Sequence, residues 1–417
     1  MRPVSFTGRL INLTHRISIA MTATTPTRLK FLVLSARAPV ALDWARQIVA
    51  AGHEVYLADY GAGSLSRASG LAQGFWTLPA PADAPLAFVQ RLQQLIAQER
   101  IDWLIPTCEE VFCVAYYREV LPASCHVLSP DFSVLQGLHH KFQFTELAQN
   151  MGIATPPTRL LGPDAATQAP SPHKTICKPV YSRFGHQTLV LEAAQALPAK
   201  LPLNHTWLQQ DFIHGQEYCS YSLAVAGEVL THVMYAGKYR YKNGASYYFQ
   251  PVQQPAIAEQ VAHLVRTLHF TGQISFDWME ETLTGRMFAL ECNPRATSGI
   301  HLLPHDGGMV QALLHQQVYR PHLHTKMFAA MMLCDGFKTA LKTRQLRTWW
   351  HDFRRASDVL GQAQLYQGLW QDTRLFFQLA RAQNLPLEAA TSQAFEWNGQ
   401  AWPEPHEPPV LQAASSC

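Results

Sequence analysis

The stretch ISFDWMEETLTGRMFALECNPR, residues 274–295, decides the reading of the chain. Two largely apolar runs flank a turn centred near Thr284, where Gly285 is free to take a positive φ, so the segment reads as a β-hairpin. In a hairpin symmetric about that centre, Asp277 lies opposite Glu291. Alternation then puts Ser275, Asp277, Glu291 and Asn293 on one face and Ile274, Phe276, Trp278, Phe288, Leu290 and Cys292 on the other. The second face is wholly apolar and belongs to a core. The first sets two carboxylates side by side with Cβ atoms about 5 Å apart, where like charges oppose strand pairing. A cation between them removes the conflict. Carboxylate and amide oxygens are hard donors, better suited to Mg2+ shared with a phosphate than to zinc. The alternative is a hairpin whose acids simply face water.

Outward from this hairpin the chain changes character twice. From Lys30, strands and helices alternate: KFLVLSA, PVALDWARQIVAAG, HEVYLAD, LAFVQRLQQLIAQE, IDWLIPT, EVFCVAYYREVL and CHVLSP, ending at Pro130. That order predicts parallel strands with crossover helices, an open α/β sheet. Residues 131–152 read as one long amphipathic helix closed by Gly152, followed by the Pro-stiffened link IATPPT. Between Lys174 and Cys292 strands follow one another with a single helix at 256–269, which predicts an antiparallel sheet. Beyond 326 the pattern is helical and ends in a Pro-rich tail. The expected organisation is an α/β N-terminal domain with an open parallel sheet (28–130), an α+β domain (131–325) and a helical C-terminal appendage (326–417). The first 27 residues are read as a disordered extension. No acid precedes Asp43, so a transit peptide or a true start at Met21 are further readings of that basic opening.

Composition narrows the function classes. In 417 residues, 47% are hydrophobic and 15% charged, which excludes a disordered, highly charged chain. A net charge of +3 makes no case for a nucleic-acid partner. No apolar run approaches the roughly 18 residues that a transmembrane helix needs. The eight cysteines show no C-x-x-C spacing, which points to a reducing compartment, most simply a cytoplasmic one.

The order E-C-N-P-R at 291–295, with an acid one strand earlier, resembles the metal site of the ATP-grasp superfamily. Other signals fall in the family's order: Lys141 before the Pro-rich link, Lys178 in I-C-K-P-V, a loop Y-S-R-F-G-H with Arg183 and Gly185, and a hinge-like L-Q-Q-D-F-I-H-G-Q-E at 208–217. The resemblance spans roughly residues 28–325 and is to carbamoyl-phosphate-synthetase-like and biotin-carboxylase-like members. It implies an ATP-grasp domain at 131–325, ATP and Mg2+ (or Mn2+) as cofactors, and Asp277, Glu291 and Asn293 as metal ligands. Lys141 and Lys178 would meet the phosphates as point charges. Gln210 and Ile213 would sit at the adenine, Glu217 would accept from the ribose hydroxyls, and Arg295 would offset charge on the transferring phosphoryl group. Lys178 is expected in a buried strand and Lys141 on a partly exposed helix. The loop, whose Arg183 and Gly185 would close over the phosphates, is poorer in glycine than is usual in the family.

The substrate side carries a lighter signal. Lys238, Arg240 and Lys242 would share one face of an edge strand, as an anion clamp or as solvated charge. Ser298 and Gly299 follow the metal strand directly. His301 and His305, with no third ligand near, read as packing or polar-surface histidines. Thr107 and Glu109 close a parallel strand at the end where such sheets bind ligands. The resemblance implies a ligase that activates a small carboxylate as an acyl phosphate and joins it to an amine; the competing reading is a non-catalytic ATP-binding scaffold. Between Gly336 and Gln383 eight basic and three acidic residues give +5, with Trp349, Trp350 and Trp370 among them. This segment is expected to pack on the chain through Phe337, Leu341, Leu346 and Phe353. Contact with an anionic membrane surface and a homodimer contact are the alternatives.

Overall fold

The computed structural model describes residues 28–404 except 62, 163–168, 184–187, 199–200, 202–205, 242–243, 385–389 and 391–392. The expectations for the first 27 residues, for Gly185 and for Lys242 therefore fall outside the described residues.

The alternating half forms a parallel sheet of β1 (Lys30–Leu34), β2 (Glu54–Asp59), β3 (Gly74–Thr77), β4 (Trp103–Ile105) and β5 (His126–Val127), ordered β3-β2-β1-β4-β5. Strand β3, the short edge segment Gly-Phe-Trp-Thr, was not among the expected strands, because four residues with partly exposed side chains give no periodic signal. The helix Pro39–Ala50 begins with proline at its first position and ends at Gly52, whose φ of +85° lets His53 N–H reach back to the Ile48 carbonyl.

The expected single helix at 131–152 is two, Phe132–His139 and Lys141–Asn150. His140 is extended (φ −72°, ψ 104°), and its Nδ1 accepts from the Gln143 N–H, capping the second helix. The break makes Lys141 the first residue of a new helix and turns it inward.

The expected single antiparallel sheet is also two. A four-stranded sheet holds β6 (Thr158–Leu161), β7 (Thr175–Pro179), β8 (Leu189–Leu191) and β9 (Trp207–Asp211), ordered β6-β9-β7-β8. A seven-stranded sheet holds β10 (Gly215–Val225), β11 (Glu228–Gly237), β12 (Tyr248–Val252), β13 (Gly272–Glu281), β14 (Met287–Asn293), β15 (Lys326–Met327) and β16 (Ser357–Asp358), ordered β14-β13-β10-β11-β12-β15-β16. The sheet thus runs past residue 325 and takes its last two strands from the segment expected to be a helical appendage.

One core joins the parallel sheet to the large antiparallel one: Phe31, Val33, Trp44 and Ile48 cluster with Tyr221, Leu223, Val233 and Ile300. Gln273 is the polar crossbar between them. It accepts from Trp44 Nε1 (2.8 Å) and Tyr221 Oη (3.0 Å) and donates to the Pro106 carbonyl (3.0 Å).

Residues 394–403 return to the first sheet. Ala82 N–H donates to the Ala394 carbonyl, and Tyr117 Oη to the Pro403 carbonyl (2.6 Å). Trp397, 2% exposed, is wedged among Phe112, Phe132, His139 and Tyr181. Such a tryptophan is part of the core rather than a tail ornament. Trp397→Ala should cost about 3–5 kcal/mol of stability. Urea unfolding would show it as a lowered midpoint at unchanged slope.

Candidate functional site

Strands β13 and β14 pair as the symmetric hairpin required: Asp277 opposite Glu291, and Ser275 opposite Asn293. A bulge after Asp277 then shifts the register so that Trp278 meets Ala289 and Met279 meets Phe288. The apolar face changes accordingly. Ala289, not Leu290 or Phe288, packs with Ile274, Phe276, Trp278 and Cys292 in the core beneath. Without the slip, the two carboxylates would keep their place but the far half of the hairpin would present the opposite side chains to the core.

The positive charge that this pair demands comes from two other elements. Lys141, 5% exposed at the helix break, places Nζ 3.4 Å from Glu291 Oε2; Lys178, on β7, places Nζ 3.8 Å from the same oxygen. Lys141 also donates to the Ser182 carbonyl at 2.8 Å. The partly exposed position expected for Lys141 is corrected: it is at least as buried as Lys178, and both point at one carboxylate. Burial works to raise the Glu291 pKa, but Lys141 and then Lys178 bring it down to about 2. Among the described residues Asp277 makes no ion pair with a lysine or arginine. Burial, then Glu291, then Glu217 push it up to about 7. It accepts from Cys219 Sγ (3.0 Å) and from Asn293 Nδ2 (3.3 Å).

Cys219 and Glu217 face this pair from β10, and ligand atoms of Glu217, Cys219 and Asp277 lie within 4.8 Å of one another. The thiol was missed in the sequence. Its position depends on β10 lying beside β13, a neighbour relation between strands far apart in the chain.

Arg295 follows on the same edge. Its Nη2 donates to Asn293 Oδ1 (3.3 Å), its Nη1 to the Ala296 carbonyl (3.2 Å), and its Nε lies 3.5 Å from Glu109 Oε1. Glu109 sits just past β4, in a loop fixed by Glu110, whose carboxylate accepts from Thr107 N–H (2.9 Å), Cys108 N–H (3.0 Å) and Ser35 Oγ (2.7 Å). Burial works to raise the Glu109 pKa, but Arg183, His139 and Arg295 lower it to about 2. Glu109 therefore stands between two arginines. Arg183 makes a close ion pair with it and is held from the other side by the returning C-terminal segment: the Trp397 carbonyl (2.9 Å), Asn398 Oδ1 (2.7 Å) and Glu396 (3.4 Å).

The remaining candidates scatter. Gln210 is buried on β9 and donates to Thr158 Oγ1 (2.9 Å); Ile213 lies half-buried in the link to β10. Glu217 is paired with Arg240 at 2.7 Å. The edge strand expected to carry Lys238 and Arg240 is not there, because β11 ends at Gly237; Lys238 goes instead to Asp352 at 2.6 Å. Ser298 opens a 3-10 turn through Leu302, and a Cβ on Gly299 would stand 2.4 Å from Tyr221 Cβ, so this glycine permits close packing. His301 and His305 both clamp Asp43 of the helix Pro39–Ala50, the second at 2.8 Å, which ties the first sheet's helix to the segment after the β13–β14 hairpin.

The opposed titrations have a measurable consequence. An unfolded aspartate releases its proton near 3.8, whereas Asp277 keeps it to about 7. Between those values the folded state binds a proton that the unfolded state has lost, so stability falls as pH rises toward 7. Glu291 acts in the other direction, its contribution being lost only as pH falls from 4.5 toward about 2. Metal-free Asp277→Asn should therefore match the wild type near pH 4 and exceed it at pH 7.5, which melting temperatures across that range would register.

No protein-family model and no curated protein matches the chain. Solved structures do. The L-amino acid ligase from Bacillus licheniformis aligns with a TM-score of 0.52 at 15% identity, covering 70% of this chain and 75% of that one. The biotin carboxylase domain of the Hydrogenobacter thermophilus 2-oxoglutarate carboxylase, in complex with MgADP and bicarbonate, gives 0.54 at 13% identity, covering 71% and 73%. The N5-carboxyaminoimidazole ribonucleotide synthetase from Thermotoga maritima gives 0.52 at 13%, covering 71% and 79%. These likenesses agree with the superfamily that the motifs resemble: the chain has the ATP-grasp fold.

Proposed function

We propose that the chain is an ATP-dependent ligase that activates a substrate carboxylate as an acyl phosphate and joins it to an amine. The observation that carries this reading is the arrangement around Glu291: one carboxylate shared by two buried lysines and set beside a second carboxylate that lacks a cation of its own. The donor set fits a hard divalent cation such as Mg2+ or Mn2+, with Asp277, Glu291 and Asn293 as its ligands. The structural neighbours include a ligase and a carboxylase in complex with MgADP, which favours a catalytic reading over a binding scaffold.

MgATP, when bound, supplies the transferable phosphoryl group. The chain supplies placement and charge. Lys141 and Lys178 would give the phosphate oxygens fixed positive charge, one from a helix start and one from β7, and both are already desolvated, so little reorganisation is needed on binding. Gln210 and Ile213 mark the adenine wall, and Glu217 the ribose end. Arg295, held by Asn293 and Glu109, presents a rigid fork of donors where charge develops on the transferring group. The substrate carboxylate then attacks phosphorus and ADP leaves; the amine displaces inorganic phosphate from the acyl phosphate. Ser298, Gly299 and Arg240 lie on the substrate side of this line in the proposal, with Lys238 further out.

A phosphate-release screen with MgATP, offering amino acids and small carboxylates singly and in pairs, tests the reading. Release that depends on a pair supports it; nucleotide binding without release under any pair favours the scaffold. Three variants sharpen the test. Glu291→Gln should abolish Mg2+-dependent release and should also lower stability, because it leaves Lys141 and Lys178 without their carboxylate. Lys141→Ala and Lys178→Ala should each weaken MgADP binding by about tenfold, on the order of 1.4 kcal/mol, by titration calorimetry. Undiminished turnover in the first variant would defeat the metal-site assignment.

A further inference from the structure

Of the four side chains after β15 expected to face the core, Phe353 packs against it, whereas Phe337, Leu341 and Leu346 are exposed. In the helical run Ala329–Thr343, Leu333, Phe337 and Leu341 recur every fourth residue and are 53%, 40% and 50% exposed. In the next helix, Leu346–Arg355, Leu346 and Trp350 are 39% and 53% exposed. The inward faces of the same helices are satisfied. Met332, Ala340 and Trp349 are buried against Tyr247, Tyr248 and Met327 at the β12–β15 edge of the large sheet, the edge away from the metal hairpin. Two helices therefore carry an inner apolar face that the protein covers and an outer one that it leaves in water.

Charge surrounds that outer face. Lys338, Lys342, Arg344, Arg347, Arg354 and Arg355 are all exposed, and among the described residues none of them makes an ion pair. The two acids in the segment are taken up internally. Asp335 accepts from Tyr247 Oη at 2.7 Å, and Asp352, 6% exposed, takes Tyr239 Oη at 2.7 Å and Lys238 Nζ at 2.6 Å. The surface is thus positive and apolar at once, with lysines next in sequence to Phe337 and Leu341.

We propose that this face, Leu333 to Arg355, docks the protein on an anionic lipid surface. Interleaved cations and bulky apolar side chains, with a tryptophan among them, match the two layers of such a surface: acidic headgroups for the charges and the acyl boundary for the side chains. The competing occupants fit less well. A two-fold homodimer through this face would bring the patch against itself, cation on cation. A nucleic acid would answer the charge and leave the apolar stripe wet. Docking takes place at the sheet edge remote from Asp277 and Glu291, so it does not require the nucleotide site to change.

Full-length protein is tested by flotation with phosphatidylcholine vesicles, with and without 30 mol% phosphatidylserine, at low and high salt. Binding is expected only to the anionic vesicles, with at least a tenfold loss of affinity on raising the salt. Two variants at exposed positions separate the contributions: Lys338→Glu with Lys342→Glu, and Leu341→Ser with Trp350→Ser. Each should lose binding by tenfold or more while keeping the wild-type melting temperature. In the wild type, brominated acyl chains should quench tryptophan emission, a signal that Trp350→Phe diminishes; this readout stands even where a charge variant fails to fold. Absence of binding to anionic vesicles at low salt would overturn the proposal. So would equal binding to neutral vesicles, or a concentration-dependent dimer that these variants abolish in the absence of lipid.

Discussion

Two carboxylates facing each other across neighbouring strands are the constraint around which this protein is arranged. Asp277 and Glu291 cannot both carry charge in a buried hairpin without compensation, and the fold answers from three directions. A helix breaks at His140 to deliver Lys141, strand β7 delivers Lys178, and β10 brings the Cys219 thiol against Asp277, with Glu217 beside it paired to Arg240. The result is asymmetric. Lys141 and Lys178 keep Glu291 ionised, while burial, Glu291 and Glu217 hold Asp277 toward its protonated form. In the function proposed above, Asp277 is where a divalent cation would complete the charge balance.

Much of this was readable from the residues, and the limits are physical. The hairpin register was legible because turn centre and alternation over-determine it; the bulge after Asp277 was not, because one extra residue leaves no mark on composition. Strand β3 and the split between two antiparallel sheets were invisible for a related reason: sequence shows which segments are strands but not which strands are neighbours. The same blindness hid Cys219. His140 was passed over because its neighbours keep the apolar spacing of a continuous helix, while the cap that breaks it is a side-chain bond to Gln143. For the C-terminal helices, spacing identified an amphipathic segment but could not say how many apolar faces each helix had. Leu341 and Trp350 turned out to belong to a second, outer one.

Arg183 shows how a loop residue can be claimed by a distant part of the chain. Placed by resemblance at the phosphates, it is bound on one side by Glu109 and on the other by Trp397 and Asn398. Glu109 in turn contacts Arg295. A continuous line of charge therefore runs from the returning C-terminal segment through the end of β4 to the β13–β14 hairpin, and joins three sequence regions that share no local signal.

The wedge of Trp397 against Phe112, Phe132, His139 and Tyr181 also bears on how the protein is made. Residues 112 to 181 leave the ribosome more than two hundred positions before the tryptophan that covers them. At ~5–20 residues per second, their aromatic surface stays open for on the order of ten seconds or more of synthesis. The parallel sheet can form in that interval, but its outer aromatic layer cannot close. During that interval the uncovered aromatic surface is open to aggregation, whatever the stability of the finished fold.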